Sequence, residues 1–310
     1  MQWWLLGGMV MTDILGSYQN GNYTVTIYDD GTKVRQNELS SLIPETVESM
    51  DIKITNYCDC GCKYCHEDST IHGKHGDIMS PSFLDNLHPF TELAIGGGNP
   101  LSHPDLVPFL EKCKRLNLIP SMTVNQVHFE ANIDLIRYLV DNKLIWGLGI
   151  SLVDPTFKFL ELVKEFSNAV IHVIAGVVTT SQLTVLANHD LKILILGYKD
   201  FRRGSQYLSK HPEDVVRKIN VLKLLLPVMI SNEHFKAISF DNLAIQQLEV
   251  RNLMSEEDWK VFYMGDDGFA TMYVDMVERK FALNSCAPIE NRYPLLNTIE
   301  EMFYRIKENN

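Results

Sequence analysis

Four of the chain's six cysteines fall within eight residues, in Asp51-Ile52-Lys53-Ile54-Thr55-Asn56-Tyr57-Cys58-Asp59-Cys60-Gly61-Cys62-Lys63-Tyr64-Cys65-His66. Cys58, Cys62 and Cys65 have the spacing C-x3-C-x2-C, and an alternating apolar run that reads as a strand precedes them. Three thiolates so spaced on one short loop can converge on three irons of a cubane cluster. The fourth iron then lacks a protein ligand, and an open metal position is where a substrate or cofactor binds. The other reading is a structural zinc loop drawing on Cys58, Cys60, Cys62, Cys65 or His66. Zinc sites usually take their ligands as two separated pairs, so one tight cluster with no second knuckle argues against it.

Strands and helices alternate around this loop. Strands are expected at 51–56, 91–96, 119–125, 145–151, 170–178 and 191–197. Helices are expected at 81–89, opened by Ser80 and Pro81, and at 104–117, 130–142 and 155–167. Six strands, each followed by a helical segment, argue for parallel βαβ units in an α/β fold. Their near-continuous apolar runs are those of strands covered on both faces. Ahead of them, Tyr23–Tyr28, a turn at Asp29-Asp30-Gly31 and Thr32–Arg35 read as a β-hairpin capping the domain. Beyond residue 200 the pattern loosens into an α+β tail. It has helices at 213–228, 242–253 and 297–308, a strand at 236–240 and a hairpin over 262–275. The divisions expected are 1–49, 50–200 and 201–310.

In parallel α/β barrels functional residues collect at the C-terminal ends of strands. Here those ends carry Gly97-Gly98-Asn99-Pro100, Met122-Thr123-Val124-Asn125, Gly149-Ile150-Ser151-Leu152, Gly176-Val177 and Leu196-Gly197-Tyr198-Lys199. Taken singly, an Asn or Ser there is a turn or cap residue.

Together with Tyr64, the cysteine loop resembles the C-x3-C-x-aromatic-C motif of the radical S-adenosylmethionine (radical SAM) superfamily. That motif follows the first strand of a partial (β/α)6 TIM-like barrel, the architecture the resemblance implies here for residues 50–200. Cys58, Cys62 and Cys65 stand where the family places the ligands of a [4Fe-4S] cluster, and Tyr64 where it places the aromatic. Gly97-Gly98-Asn99-Pro100 resembles the family's Gly-Gly-Glu-Pro. In the family that segment receives the methionine amino group of SAM, largely through backbone carbonyls that glycine leaves accessible. Asn99 replaces the acid, losing a charge and keeping an acceptor oxygen. By the same resemblance Asn125 bonds the ribose or the methionine carboxylate, and Ser151 adds a second polar contact. Gly176 and Val177 lie on the adenine-contacting strand, and Lys199 faces a carboxylate of SAM or of the substrate. Cys60 has no counterpart.

The chemistry implied is one-electron cleavage of SAM to a 5′-deoxyadenosyl radical, which takes hydrogen from a substrate, with flavodoxin or ferredoxin as the electron donor. A peptide or protein substrate is favoured, because appended hairpins offer edge strands for β-addition. A nucleotide or modified base, or a small metabolite, stays open, as does a non-enzymatic zinc or iron–sulfur binding protein. Only Cys286 follows the expected barrel, so a cysteine-ligated auxiliary cluster is not expected. Asp241, Asn242, Tyr273 and Asp275 either line the pocket or satisfy turns.

The 310 residues, 45% apolar and 22% charged, suffice for a large core. A net charge of −11 disfavours adhesion to bulk nucleic acid or to anionic membrane. Cysteines crowded into one motif do not look like a disulfide framework and fit a reducing cytoplasm. The apolar opening Met1–Met11 is too short to span a bilayer and lacks a basic flank, so no secretion signal is expected; Met9 or Met11 would serve equally as a start.

Overall fold

The computed structural model describes residues 13–38 and 41–308; the opening run to Met11 lies outside them. Strands β1 (Ile14–Asn20), β2 (Tyr23–Tyr28) and β3 (Lys33–Gln36) form an antiparallel sheet in that order. The β2–β3 hairpin turns where the sequence places it, and Asp30 Oδ1 accepts from Thr32 N at 2.8 Å. β1, interrupted by Gly16 and rich in polar residues, carries too little alternation to be read in advance.

The main unit begins with β4 (Ser49–Thr55) and β5 (Glu92–Gly97). It continues through α1 (Leu106–Arg115), β6 (Ile119–Asn125), α2 (Gln126–Ala131), α3 (Ile133–Asp141) and β7 (Gly147–Ser151). Next come α4 (Phe157–Val163), β8 (Ala169–Ile174), α5 (Thr180–Leu186), β9 (Lys192–Leu196), α6 (Arg203–Lys210), α7 (Pro212–Ser231) and β10 (Ala237–Phe240). The chain closes with α8 (Asn242–Gln247), α9 (Glu256–Phe262), β11 (Thr271–Asp275), β12 (Lys280–Ala282), β13 (Tyr293–Pro294) and α10 (Ile299–Glu308).

β4 through β10 lie side by side in chain order, all parallel. β11 returns to the free side of β4, again parallel, with Val274 opposite Ile52, and β12 and β13 continue antiparallel. The result is a ten-stranded, mostly parallel sheet whose edges, among the described residues, are β10 and β13. One set of alternate residues, including Ile54, Met122, Ile150, Ile171 and Ile193, packs into the core with the helices. The other set includes Asp51, Lys53, Thr123, Asn125, Ser151 and His172, and lines a cavity of about 1380 Å³ around which the sheet curls. The first sheet covers the end where the strands begin. Arg35 donates from Nε and Nη2 to Glu48 Oε2 at 3.0 and 2.8 Å, and Asn168 Nδ2 donates to Asp29 O at 3.0 Å.

Several elements depart from the sequence reading. The helix expected over 81–89 is a single 3-10 turn, Ser82–Asn86, preceded by Pro81 with no side-chain cap. Pro89 explains its brevity, since it disfavours helical backbone at His88. The helix expected over 130–142 is two, broken at Asn132, whose Nδ2 donates to His128 O at 2.9 Å. No hairpin forms over 262–275, because β11 pairs with β4 and β12 instead of with its upstream neighbour.

Phe129 is fully buried, edge-on to Phe159 and Phe166 at ring separations of 6.1 and 5.8 Å. Phe129→Ala should lower stability by about 3–5 kcal/mol, read as a drop in the urea midpoint at unchanged slope.

Candidate active site

The cysteines sit on the segment that leaves the C-terminal end of β4, and that segment is stitched to itself. Cys58 N donates to Thr70 O at 2.9 Å, Thr70 N to Asn56 O at 3.1 Å, and Asn56 N to Lys74 O at 2.8 Å. A second set of bonds ties it to the glycines ending β5: Gly98 N donates to Thr55 O and Asn99 N to Tyr57 O, both at 2.7 Å. Here glycine is required by space. Gly97 has φ +114°, and a Cβ on Gly98 would lie 2.1 Å from Tyr57 O.

Cys58, Cys62 and Cys65 are half-buried, free of disulfides, and line the cavity. A turn bond from Cys65 N to Cys62 O at 3.3 Å brings the last two together, and Asn125 Nδ2 points at Cys62 Sγ from 3.9 Å. Burial, with Cys65 and Cys58 beside it, pushes the Cys62 thiol above its ordinary value. Burial, with Cys58 and Cys62, pushes Cys60 up to about 12. Thiols crowded on one loop and free of disulfides can supply thiolate ligands once a cation displaces their protons.

The cavity joins most of the residues singled out in the sequence: Tyr64, Gly97, Gly98, Asn125, Ser151, Val177 and Lys199 line it with the cysteines. Two lie elsewhere. Asn99 is buried behind the glycines, its Oδ1 lacking a hydrogen-bond partner among the described residues. Gly176, at φ +82°, packs against Val215 and Tyr198. Asn125 also caps α2 through Val127 N at 2.9 Å. Lys199 Nζ donates to Ser285 Oγ at 3.0 Å. Burial works to lower its pKa, but Cys286, Asp241, Asp51 and Glu67 hold it above the usual lysine value. Asp241, Asn242 and Tyr273 also face the cavity.

Behind the cysteines lies a buried ionic cluster that the sequence did not announce. Lys53 Nζ, on β4, lies 2.8 Å from Glu67 Oε2 and 3.4 Å from Asp275 Oδ2 at the end of β11. Arg202 donates to Glu67 O at 2.7 Å, and Arg203 pairs with Asp68 at 2.9 Å. Although burial opposes it, His66 and Lys53 hold the Glu67 carboxyl well below its usual range. Asp275 Oδ1 also accepts from Val277 N and Glu278 N at 3.0 and 2.9 Å, so its work is support and turn-making, not pocket lining. His172, buried on β8, keeps Nε2 without a hydrogen-bond partner among the described residues, and burial lowers its pKa to about 4. The signals for these groups were a lysine and a histidine at alternate positions of otherwise apolar strands.

No family model matches the chain. A 90-residue stretch is 26% identical to PqqA peptide cyclase of Gluconobacter oxydans, covering 27% of this chain and 25% of that one. Among solved structures, Streptococcus suis SuiB bound to S-adenosylmethionine superposes with a TM-score of 0.53 at 13% identity, over 89% of this chain and 83% of that one. SuiB bound to precursor peptide SuiA gives 0.50 at 13% identity, over 79% and 61% respectively. The fold is similar to that of SuiB, and the triad stands on the loop after the first parallel strand. These likenesses, with the cysteine triad, are to peptide-related proteins of one fold. In this chain the three cysteines, the glycine turn and Asn125 come from three successive strand ends, β4, β5 and β6. The donor set fits an iron–sulfur cluster. The triad is free of disulfides and faces the cavity.

Lys53→Met strands two buried carboxylates and should cost about 3–5 kcal/mol in denaturant unfolding. Glu67 carries a second prediction. Its folded pKa lies below the unfolded value near 4.5, so its contribution is present above that pH and is lost as pH falls below it. Stability of the unaltered chain should therefore fall through that range, and Glu67→Gln should flatten the slope.

Proposed function

We propose that this protein is a radical SAM enzyme that modifies a peptide or protein. Cys58, Cys62 and Cys65 would hold a [4Fe-4S] cluster within the partial (β/α)6 barrel formed by β4–β9 and their helices. When reduced, that group supplies the electron that cleaves SAM and releases a 5′-deoxyadenosyl radical. The carbonyls of Gly97 and Gly98 would take the methionine amine, with Asn99 Oδ1 behind them. Asn125 and Ser151 would hold the ribose or the carboxylate, Val177 would pack on the adenine, and Lys199 would fix a carboxylate of cofactor or substrate. The carrying observation is the triad opening into one cavity with Gly97, Gly98, Asn125, Ser151, Val177 and Lys199.

The peptide reading rests on size and on the relatives. A cavity of about 1380 Å³ exceeds the roughly 300–1000 Å³ of a single small-molecule site, leaving room for a second molecule beside SAM. PqqA peptide cyclase and peptide-bound SuiB each carry a peptide in their names. β3, an edge of its sheet with Lys33, Val34 and Arg35 on the cavity, provides a place for an extended chain. A flavodoxin or ferredoxin would supply electrons in the cytoplasm. No described helix is long and apolar enough to cross a membrane.

Anaerobic reconstitution followed by dithionite and SAM should yield 5′-deoxyadenosine above a protein-free control. Cys58→Ala, Cys62→Ala and Cys65→Ala should each lose bound iron, and lose product beyond the roughly 10–100-fold that removal of an outer-shell partner costs. Full iron content and full product in all three variants would refute the assignment.

A further inference from the structure

Cys60 belongs to the loop but not to the triad, and the structure gives its sulfur other company. Cys60 Sγ lies 3.3 Å from His128 Nε2, and that nitrogen lies 2.6 Å from Asp59 Oδ1. One ligand atom from each of Cys58, Asp59, Cys60 and His128 falls within 4.8 Å of all the others. His128 is buried on α2, the helix that follows Asn125. Cys62 and Cys65 are not members of this compact group.

We propose that, in the chain without its iron–sulfur cluster, Cys58, Asp59, Cys60 and His128 form a four-ligand site for zinc or a similar soft divalent cation. Because Cys58 serves both sites, the ion and the cluster exclude one another. The zinc site rests on these four side chains alone, and its exclusion of the cluster rests also on the cluster assignment proposed above.

Two kinds of metal group make different demands on spacing. Ligands of a single tetrahedral ion, with bonds of about 2.0–2.3 Å, stand roughly 3.3–3.8 Å apart. The thiolates of a cubane each serve a different iron and must stand farther apart. The Cys60–His128 separation of 3.3 Å already has the single-ion value. The 2.6 Å contact between His128 and Asp59 is a shared-proton distance, which widens when a cation replaces the proton. Two thiolates, an imidazole and a carboxylate are a closed zinc donor set, and binding releases the thiol protons to solvent. The sequence argued against zinc because the loop lacks a second group of ligands. His128, far away in the chain, supplies the missing ligand. Asp59 is exposed, so the ion has a route from solvent.

The test uses the full chain, purified anaerobically and stripped by chelator, with zinc alone as the probe in competition with a chromophoric chelator. One ion per chain is expected. Cys60→Ala, His128→Ala and His128→Gln should each weaken binding about tenfold or more, whereas Cys62→Ala and Cys65→Ala change it less than about threefold. Cobalt(II) in place of zinc should show tetrahedral bands, with the thiolate charge-transfer band halved in Cys60→Ala. Zinc added first should delay growth of the iron–sulfide chromophore in the unaltered chain but not in His128→Gln. Equal losses for Cys62→Ala and Cys60→Ala, with no loss for either His128 variant, would mean that loop thiols alone trap the ion, and would overturn the proposal. A zinc-free chain that never takes up iron would defeat the cluster assignment while leaving the zinc result standing.

Discussion

The Lys53 ammonium is the point on which the site depends. It is buried on the first parallel strand between Glu67 of the cysteine segment and Asp275 of β11. The first parallel strand, the loop that follows it and the distant β11 meet there, each bringing a buried charge. A buried ion pair adds little net stability over an apolar replacement, but removing one partner is costly. Such a cluster therefore specifies position more than it adds strength. Here it fixes where the cysteine segment leaves β4, and so where the three sulfurs point.

The second constraint is steric. The glycines at the end of β5 lie against Thr55 O and Tyr57 O so closely that no side chain fits between. A glycine-rich strand end first read as a cofactor cradle is thus also the joint that seats the cysteine segment. The two roles are compatible, since the backbone bonds that join the segments leave the Gly96–Gly98 edge facing the cavity. Asn99, buried behind that edge with an unanswered oxygen, belongs to the joint and not to the cavity wall.

The local parts of this arrangement were legible in the sequence. The βα alternation and the β2–β3 turn depend on neighbours along the chain, and both are found, though the first expected helix shrinks to a 3-10 turn. What could not be read depends on pairing across distance. β11 resembled a hairpin arm, because nothing local reveals that β4 offers an unfilled edge. Asp51, Lys53 and His172 sit within apolar strands, and the runs suggested coverage on both faces; only the curl of the sheet shows that one face is a lumen. His128 was invisible as a partner of Cys60 for the same reason. It reaches the loop because β6 lies beside β5, and β5 beside β4.

That β11 is laid against β4 also has a bearing on the order of events during synthesis. Residues 49–55 leave the ribosome long before 271–275, and until the latter arrive β4 is an open strand edge and Lys53 has only part of its counter-charge. Contacts so distant along the chain form late, and an uncovered edge is a hazard while it waits. The cysteine segment can thus be built early yet set only once β11 has been made. The last of the parallel strands to be made thereby secures the first of them.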